Sequence, residues 1–149
     1  MTTHVYPDAV DTSLVGTYPA SSLAGGGFVW DDVLEYRVWC HPENGAPDNE
    51  GGSDYCYAFA TYSEAAACYD RTQGADEPRV LIRQAEYIDE PEPGKYRHVK
   101  KVRITEWPVD FLRRPRRTLN SIPDFLSPDA PENRLDILRG QARDEEGSI

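Results

Sequence analysis

The sequence lacks several features that would place it in a large class of proteins. It has no apolar run of about 18 residues, so no membrane-spanning helix is expected. Its first residues, MTTHVYPDAV, lack the basic and apolar blocks of a secretory signal peptide. Its three cysteines, Cys40, Cys56 and Cys68, form no Cys-x-x-Cys pair, and their odd number favours free thiols in a reducing compartment. We therefore expect a cytoplasmic protein that has no contact with membranes.

Motifs that define a reaction are missing as well. The run SSLAGGG (21–27) precedes neither Lys-Ser/Thr nor a helix signal, so it predicts a flexible linker rather than a phosphate-binding loop. Cys68 falls in the middle of a predicted helix, away from the N-terminus that would activate a thiol, which disfavours a nucleophilic Cys68 with His98 as its base. The sequence therefore assigns no catalytic residue and favours a non-enzymatic function.

Metal-ligand residue types are present but widely spaced. They are Cys40, His41, Cys56, Cys68 and His98. Zinc sites are built from ligand pairs about two to four residues apart. Only Cys40 and His41 are close, and adjacent residues of a strand point to opposite faces. We expect buried structural cysteines and no metal site.

Positive charge is scarce in total but concentrated in one segment. The 149 residues include 26 acidic and 16 basic side chains, which gives a formal net charge of −10. Residues 1–94 carry −13, residues 95–117 carry +7 and residues 118–149 carry −4. Four arginines fall within five positions: Arg113, Arg114, Arg116 and Arg117. This basic segment is the feature that most requires an explanation.

The hydrophobic pattern predicts an α+β fold. Alternating apolar and polar residues predict four strands, the first of them half-buried: 33–40, 54–62, 78–88 and 95–107. In T-Y-S-E, Thr61 is the expected cap of a helix that stops before Gly74. DEPEPG (89–94) predicts the turn of an antiparallel hairpin between the last two strands. The result is a small antiparallel sheet of about four strands with one packed helix, in the order β-β-α-β-β.

Three regions follow from the same pattern. Residues 1–32 are expected to form an irregular N-terminal arm, and residues 33–107 the α+β core domain. Residues 108–149 form a proline-rich C-terminal arm with a short helix near 132–139.

The C-terminal arm has the composition of a docking segment. Pro115 and Pro123 hold its backbone extended, which lowers the entropy lost on docking. Apolar anchors flank arginines that can pair with carboxylates. The expected interaction residues are Phe111, Leu112, Arg113, Arg114, Arg116, Arg117, Ile122, Phe125 and Leu126. Residues 1–94 offer the nearest acidic surface, so the arm is expected to dock on its own domain or on a second copy in a homodimer.

The basic segment 95–117 also fits nucleic-acid binding. Guanidinium groups contact phosphates bidentately, and Tyr96, Trp107 and Phe111 supply the aromatic rings on which single-stranded bases stack. The other 126 residues carry −17, which repels a long polyanion. We therefore expect weak binding to nucleic acid.

Four segments carry a resemblance to a known group: EYRVWCHPENGAPD, EYIDEPEPG, TEWPVDFLRRPRRT and IPDFLSPDAPENRLDILRG. Over most of residues 30–140 the chain resembles small bacterial proteins identified as GNAT-type N-acetyltransferases. The resemblance implies acetyl-CoA as cofactor, held by a Gln/Arg-x-x-Gly-x-Gly/Ala loop between a strand and a helix. The segments DEPEPG and WPVDFL, which follow candidate strands, do not carry that pattern. No catalytic residue is therefore carried over from the group.

The sequence thus leads to three ordered expectations. The first is an adaptor or regulatory protein that acts by protein–protein contact or self-association and needs no cofactor. The alternative is a GNAT-type N-acetyltransferase that uses acetyl-CoA. The third is a nucleic-acid-binding protein that uses residues 95–117.

Overall fold

The computed structural model describes residues 6–140; residues 1–5 and 141–149, the outer ends of the two predicted arms, lie outside this range. Its strands are β1 (Leu23–Ala24), β2 (Asp32–Cys40), β3 (Tyr55–Phe59), β4 (Arg79–Gln84), β5 (Tyr87–Glu92), β6 (Lys95–Val99) and β7 (Arg103–Pro108). Its α-helices are α1 (Tyr62–Arg71), α2 (Ser121–Leu126) and α3 (Arg134–Leu138). Short 3-10 helices cover Thr12–Leu14, Pro42–Asn44 and Val109–Arg113. No helix within residues 6–140 combines the length and the hydropathy that a membrane span requires.

The predicted α+β class is confirmed, with a somewhat larger sheet than expected. Five strands form the main sheet in the order β1-β7-β4-β2-β3, while β5 and β6 form a separate two-stranded sheet. The pairs among β2, β3, β4 and β7 are antiparallel, whereas β1 runs parallel to β7. The fifth strand comes from the N-terminal segment, which has no alternating pattern that would reveal it.

The expected helix forms as its capping residues require. The side-chain oxygen of Thr61 accepts a hydrogen bond from the backbone N–H of Glu64 at 3.1 Å, which satisfies one free donor of the first turn. Ala65 and Cys68 are buried against the sheet. The helix ends at Arg71, and Gly74 lies in the following turn with φ +78°. A Cβ at this glycine would lie 2.4 Å from the backbone nitrogen of Ala46, so the turn packs too closely for a side chain.

Strand β2 is buried on both faces, although its alternation predicts a half-buried strand. Tyr36 and Val38 face the helix side of the sheet and belong to the main core. Glu35 and Arg37 face the other side and are buried too. Residues 16–20 cover this second face, because Gly16 donates to Glu35 and two backbone carbonyls accept from Arg37.

The two predicted strands 78–88 and 95–107 are each broken, so this part of the prediction is wrong. The first breaks at residues 85–86 and the second at residues 100–102, which separates the β4–β7 pair from the β5–β6 pair. The predicted turn 89–94 is also shorter, because β5 continues to Glu92.

Residues 26–31 explain the break. The side-chain amide of Gln84 donates to the carbonyls of Gly26 and Val29 at 3.0 and 2.8 Å. The backbone N–H of Ala85 donates to the carboxylate of Asp31 at 2.7 Å. The backbone N–H of Ala85, which would continue the hairpin ladder, is therefore bonded to a residue more than 50 positions earlier in the chain, and the Gln84 side chain ties the same segment down.

A second apolar cluster lies between the two-stranded sheet and the C-terminal helices. Its buried members are Val29, Ile88, Ile122 and Phe125. Residues 6–140 thus contain two apolar clusters, and the C-terminal segment contributes to both.

Candidate functional site

The predicted apolar anchors lie in the chain's own core. Phe111 and Leu112 belong to the main cluster that packs on the sheet, and both are buried. Ile122 and Phe125 belong to the second cluster, with Leu126 half-buried at its edge. The C-terminal segment therefore docks in cis, on the domain that precedes it.

Two of the four clustered arginines serve this docking. Arg117 forms a bidentate ion pair with Asp31, with Nε at 2.9 Å and Nη2 at 2.9 Å from Oδ1 and Nε at 3.1 Å from Oδ2. Arg114 donates to the carbonyl of Phe28 at 3.0 Å, and its guanidinium group lies 4.2 Å from the ring centre of Phe111. Both side chains fix residues 28–31 against the C-terminal segment.

The other two arginines remain on the surface. Arg113 pairs with Asp110 at 2.8 Å, one turn earlier in the same 3-10 helix. Arg116 lies with its guanidinium group 4.9 Å from the ring centre of Trp30. Leu119, two residues after Arg117, is 83% exposed. Arg139, which directly follows α3, lines the same cavity as Arg113 and Arg114. We call Arg113, Arg114, Arg116, Leu119 and Arg139 the arginine surface.

A cavity of about 320 Å³ opens in this surface. Its lining includes Trp107, Asp110, Phe111, Arg113, Arg114 and Arg139. The rings of Trp107 and Phe111 are stacked, with centroids 3.8 Å apart, and form an aromatic wall. We call this cavity the arginine pocket. Its donors are planar guanidinium groups, which bind carboxylate and phosphate bidentately.

Positive charge in the arginine pocket is only partly compensated. Asp110 neutralises Arg113, but no carboxylate within residues 6–140 forms an ion pair with Arg114 or Arg139. Burial and, next, the nearby charge of Arg139 lower the pKa of Arg114 to about 10. The guanidinium group of Arg114 is therefore still charged at neutral pH, and that of Arg139 brings a second positive charge to the pocket, so an anion would stabilise the pair.

Two N–H donors on the walls of the pocket have no acceptor. They are Nε1 of Trp107 and Nε of Arg139, both buried and without a hydrogen-bond partner. An unsatisfied buried donor costs about 1–3 kcal/mol, and native structures contain few of them. No hydrogen bond or ion pair within residues 6–140 engages the side chain of Arg139.

Comparison with protein-family models, with curated proteins and with solved structures finds no match.

The sequence does not single out Arg139, and it suggests Trp107 only as a ring on which nucleic-acid bases could stack. Arg139 directly follows the short helix α3, and the fold brings it back beside the arginine cluster. A Cβ on the next residue, Gly140, would lie 3.0 Å from Cδ of Pro115, which shows how closely the two segments approach. No local pattern signals this tertiary contact.

On the opposite face of the sheet, charged side chains form a buried network. Nε of Arg37 lies 2.7 Å from Glu35 and its Nη1 lies 3.1 Å from Glu106. Glu106 also accepts from Arg79 at 2.9 Å and from the indole of Trp39. Each carboxylate is bonded to a cation, so neither is available as a base. The network holds the covering segment 16–20 in place.

The three cysteines are free thiols. Cys40 and Cys68 are buried, and burial raises the pKa of the Cys40 thiol, which suppresses its reactivity. The Cys68 sulfur lies 3.8 Å from the hydroxyl of Thr72, whereas His98 is bonded to Glu86 at 2.7 Å. The structure thus gives Cys68 and His98 separate partners.

His41 joins three loops by ion pairs. Its Nδ1 lies 3.0 Å from Asp54 and its Nε2 lies 2.7 Å from Asp76. His41, Glu43 and Asp54 also place their ligand atoms within 4.8 Å of one another, the single donor set in the described part of the chain that could hold a metal ion. Both ring nitrogens already contact carboxylates, so the arrangement suits an imidazolium ion.

The His41 ion pairs are expected to make stability depend on pH. The hydrogen bonds to Asp76 and then Asp54 raise the pKa of His41 above its usual value of 6.5. Because the folded-state pKa is the higher one, the contribution is complete below pH 6.5 and is lost as the pH rises through the folded-state pKa. Urea unfolding from pH 6 to pH 9 should show a decline that His41→Gln abolishes. An identical decline in that variant would contradict the assignment.

Proposed function

We propose that the chain is a small cytoplasmic adaptor or regulatory protein that binds an acidic segment of a partner protein through its arginine surface. The observation that carries the proposal is the uncompensated pair of Arg114 and Arg139 around an open pocket. A chain of net charge −10 has many carboxylates that could neutralise these groups, yet none within residues 6–140 does so. The free thiols suit a reducing compartment.

The arginine surface offers both charge and apolar area to such a partner. Exposed ion pairs contribute about 0–1 kcal/mol each, so Arg113 and Arg116 act mainly in steering and orientation. Burying Leu119, now 83% exposed, would add about 1.5–3 kcal/mol. The Ile122 and Phe125 side chains take no part, because they are enclosed in the second apolar cluster.

A capture experiment with charge-reversed variants tests the proposal. The protein is immobilised, exposed to native lysate, and the bound proteins are quantified by mass spectrometry. The variant Arg113→Glu/Arg116→Glu should lose its specific partner, because the two introduced negative charges repel the acidic segment of that partner. The matched control is Lys95→Glu/Arg97→Glu, with the same charge change on the β5–β6 hairpin, where both side chains are exposed.

Retention of the partner by the control, and its loss from the first variant, is the expected result. The proposal would be refuted if the unmodified protein, the arginine variant and the control variant all captured the same set of proteins. Thermal melts must show that each variant is folded. Light scattering adds a separate outcome: a dimer that Arg113→Glu/Arg116→Glu dissociates would mean that a second copy of this chain is the partner.

The same guanidinium groups also allow acetyl-CoA, the cofactor of the GNAT-type alternative, because they bind phosphate. Among the described helices only α1 exceeds eight residues, and its first turn carries Glu64, whose charge disfavours a diphosphate. We rank this function second. Micromolar binding of acetyl-CoA in calorimetry would place the acetyltransferase function first.

Nucleic-acid binding ranks third. Tight, strongly salt-dependent binding of oligonucleotides that needs Arg113 and Arg116 would raise the rank of this function.

A further inference from the structure

The arginine pocket has a charge that selects among anions. Asp110 neutralises Arg113 at 2.8 Å, which leaves the charges of Arg114 and Arg139. A carboxylate brings one negative charge and would leave one of these cations unpaired. A phosphate monoester carries about −1.5 to −2 at pH 7 and neutralises both.

We infer that the arginine pocket binds a phosphoryl group, a dianionic monoester, and that the acidic segment of the partner carries this group on a phosphorylated side chain. The inference rests on the proposed function for the source of the phosphoryl group. The pocket chemistry itself, two guanidinium groups that lack an anion, stands on the geometry alone.

The walls of the pocket support this chemistry. The guanidinium group of Arg114 lies 4.2 Å from the ring centre of Phe111 and 5.2 Å from that of Trp107, so its orientation is fixed before a ligand arrives. Arg139 supplies the second guanidinium group, which forms no side-chain bond within residues 6–140. The two guanidinium groups can bind different oxygens of the same phosphoryl group, whose three free oxygens are strong acceptors.

The aromatic wall suggests which monoesters suit the pocket best. Trp107 and Phe111 are stacked 3.8 Å apart and present apolar area beside the cations. A phosphoryl group attached to an apolar or aromatic carrier can therefore contact both the guanidinium groups and the wall. Phenyl phosphate reproduces these two features in one small probe, and benzoate is the matching monoanion.

Indole N–H signals provide a direct readout. The chain has three tryptophans, and each gives one Nε1–H resonance in a ¹⁵N-correlated NMR spectrum. The spectrum of Trp107→Phe identifies the Trp107 signal by its absence. Trp39 serves as an internal reference, because its indole bonds to Glu106 on the opposite face of the sheet.

Titration with phenyl phosphate at pH 7.5 and constant ionic strength should move the Trp107 signal saturably and leave the Trp39 signal in place. Inorganic phosphate should do the same more weakly, and benzoate should bind about tenfold less tightly than phenyl phosphate. A Trp107 signal that does not move, or equal affinities for phenyl phosphate and benzoate, would overturn the inference.

Two variants establish which cation is responsible. Arg139→Gln removes a guanidinium group that has no structural partner and should weaken phenyl phosphate binding about tenfold or more. Arg97→Gln removes an exposed guanidinium on the distant hairpin and should change nothing. Equal affinities in the two variants would show that the arginine pocket is not the binding site.

The source of the phosphoryl group is tested separately from the proposed function. Lysate treated with phosphatase is compared with untreated lysate in the capture experiment. Loss of the partner after treatment supports a phosphorylated side chain. Suppose instead that capture persists after phosphatase treatment, while phenyl phosphate still binds and its binding is weakened by Arg139→Gln. A phosphorylated side chain is then refuted as the source, and the pocket is assigned to a free phosphorylated small molecule. The arginine surface would then still bind a protein.

Discussion

Replacing Arg37 with alanine is expected to lower the free energy of unfolding by about 3–5 kcal/mol. The side chain of Arg37 is fully buried and bonded to the carboxylates of Glu35 and Glu106. It also donates to the carbonyls of Pro19 and Ala20 at 2.7 and 2.9 Å. Its removal leaves the carboxylate of Glu35 without a cation, although Glu106 keeps Arg79, and leaves two backbone acceptors unpaired in a region from which water is excluded. Urea unfolding followed by circular dichroism measures the change.

The matched control is Arg97→Ala, which removes an arginine whose side chain is 67% exposed and pairs with Asp89 on the hairpin. Its effect should be about 0–1 kcal/mol. If Arg37→Ala does not fold, Arg37→Lys can replace it, because lysine keeps the charge but lacks the planar guanidinium group. Its loss of unfolding free energy should lie between the values expected for Arg37→Ala and Arg97→Ala. An Arg37→Ala variant as stable as the Arg97→Ala control would mean that the network contributes nothing to the fold.

Phe125→Ala is expected to destabilise the fold by about 3–5 kcal/mol, far more than Arg116→Ala. Phe125 is 3% exposed and lies edge-on to Tyr96 at 4.9 Å in the second apolar cluster. Truncation leaves a cavity next to α3 in a cluster that has four buried members among residues 6–140. Arg116 loses only a contact to the Trp30 ring, worth about 0.5–1 kcal/mol at an exposed site.

Thermal melts of both variants measure the difference, and light scattering reports on association. If Phe125→Ala melts like the unmodified protein, the C-terminal helices are not packed on the hairpin in solution. The apolar anchors would then be available to an external partner, and the proposed division between core and binding surface would be wrong.

Local signals account for the parts of the fold that were predictable. Thr61 caps α1 through a bond to Glu64 only three residues away, so the sequence motif contains the whole interaction. The alternation in β2 similarly identifies the face that carries Tyr36 and Val38. Such features depend on residues that are close in the sequence, so they do not require knowledge of the tertiary contacts.

The unpredicted features depend on distant segments. The break after Gln84 is set by residues 26–31, and the burial of Glu35 and Arg37 is set by residues 16–20. Arg139 joins the arginine pocket only because α3 turns back to Pro115. Periodicity reports whether a side chain can be buried on one face, but it does not report what covers the other. The clustered arginines were recognised as functional candidates, although two of them serve the core.

The position of residues 23–31 has a consequence for folding while the chain is being synthesised. This segment leaves the ribosome before its partners, because Leu23 pairs with Thr105 of β7 and the indole of Trp30 donates to the carbonyl of Arg114. Its partners are thus made some 80 residues later, and long-range closure of this kind is slow. During that interval the apolar side chains of Val29 and Trp30, which are buried in the folded protein, lack these partners, and we expect the incomplete chain to be prone to aggregation.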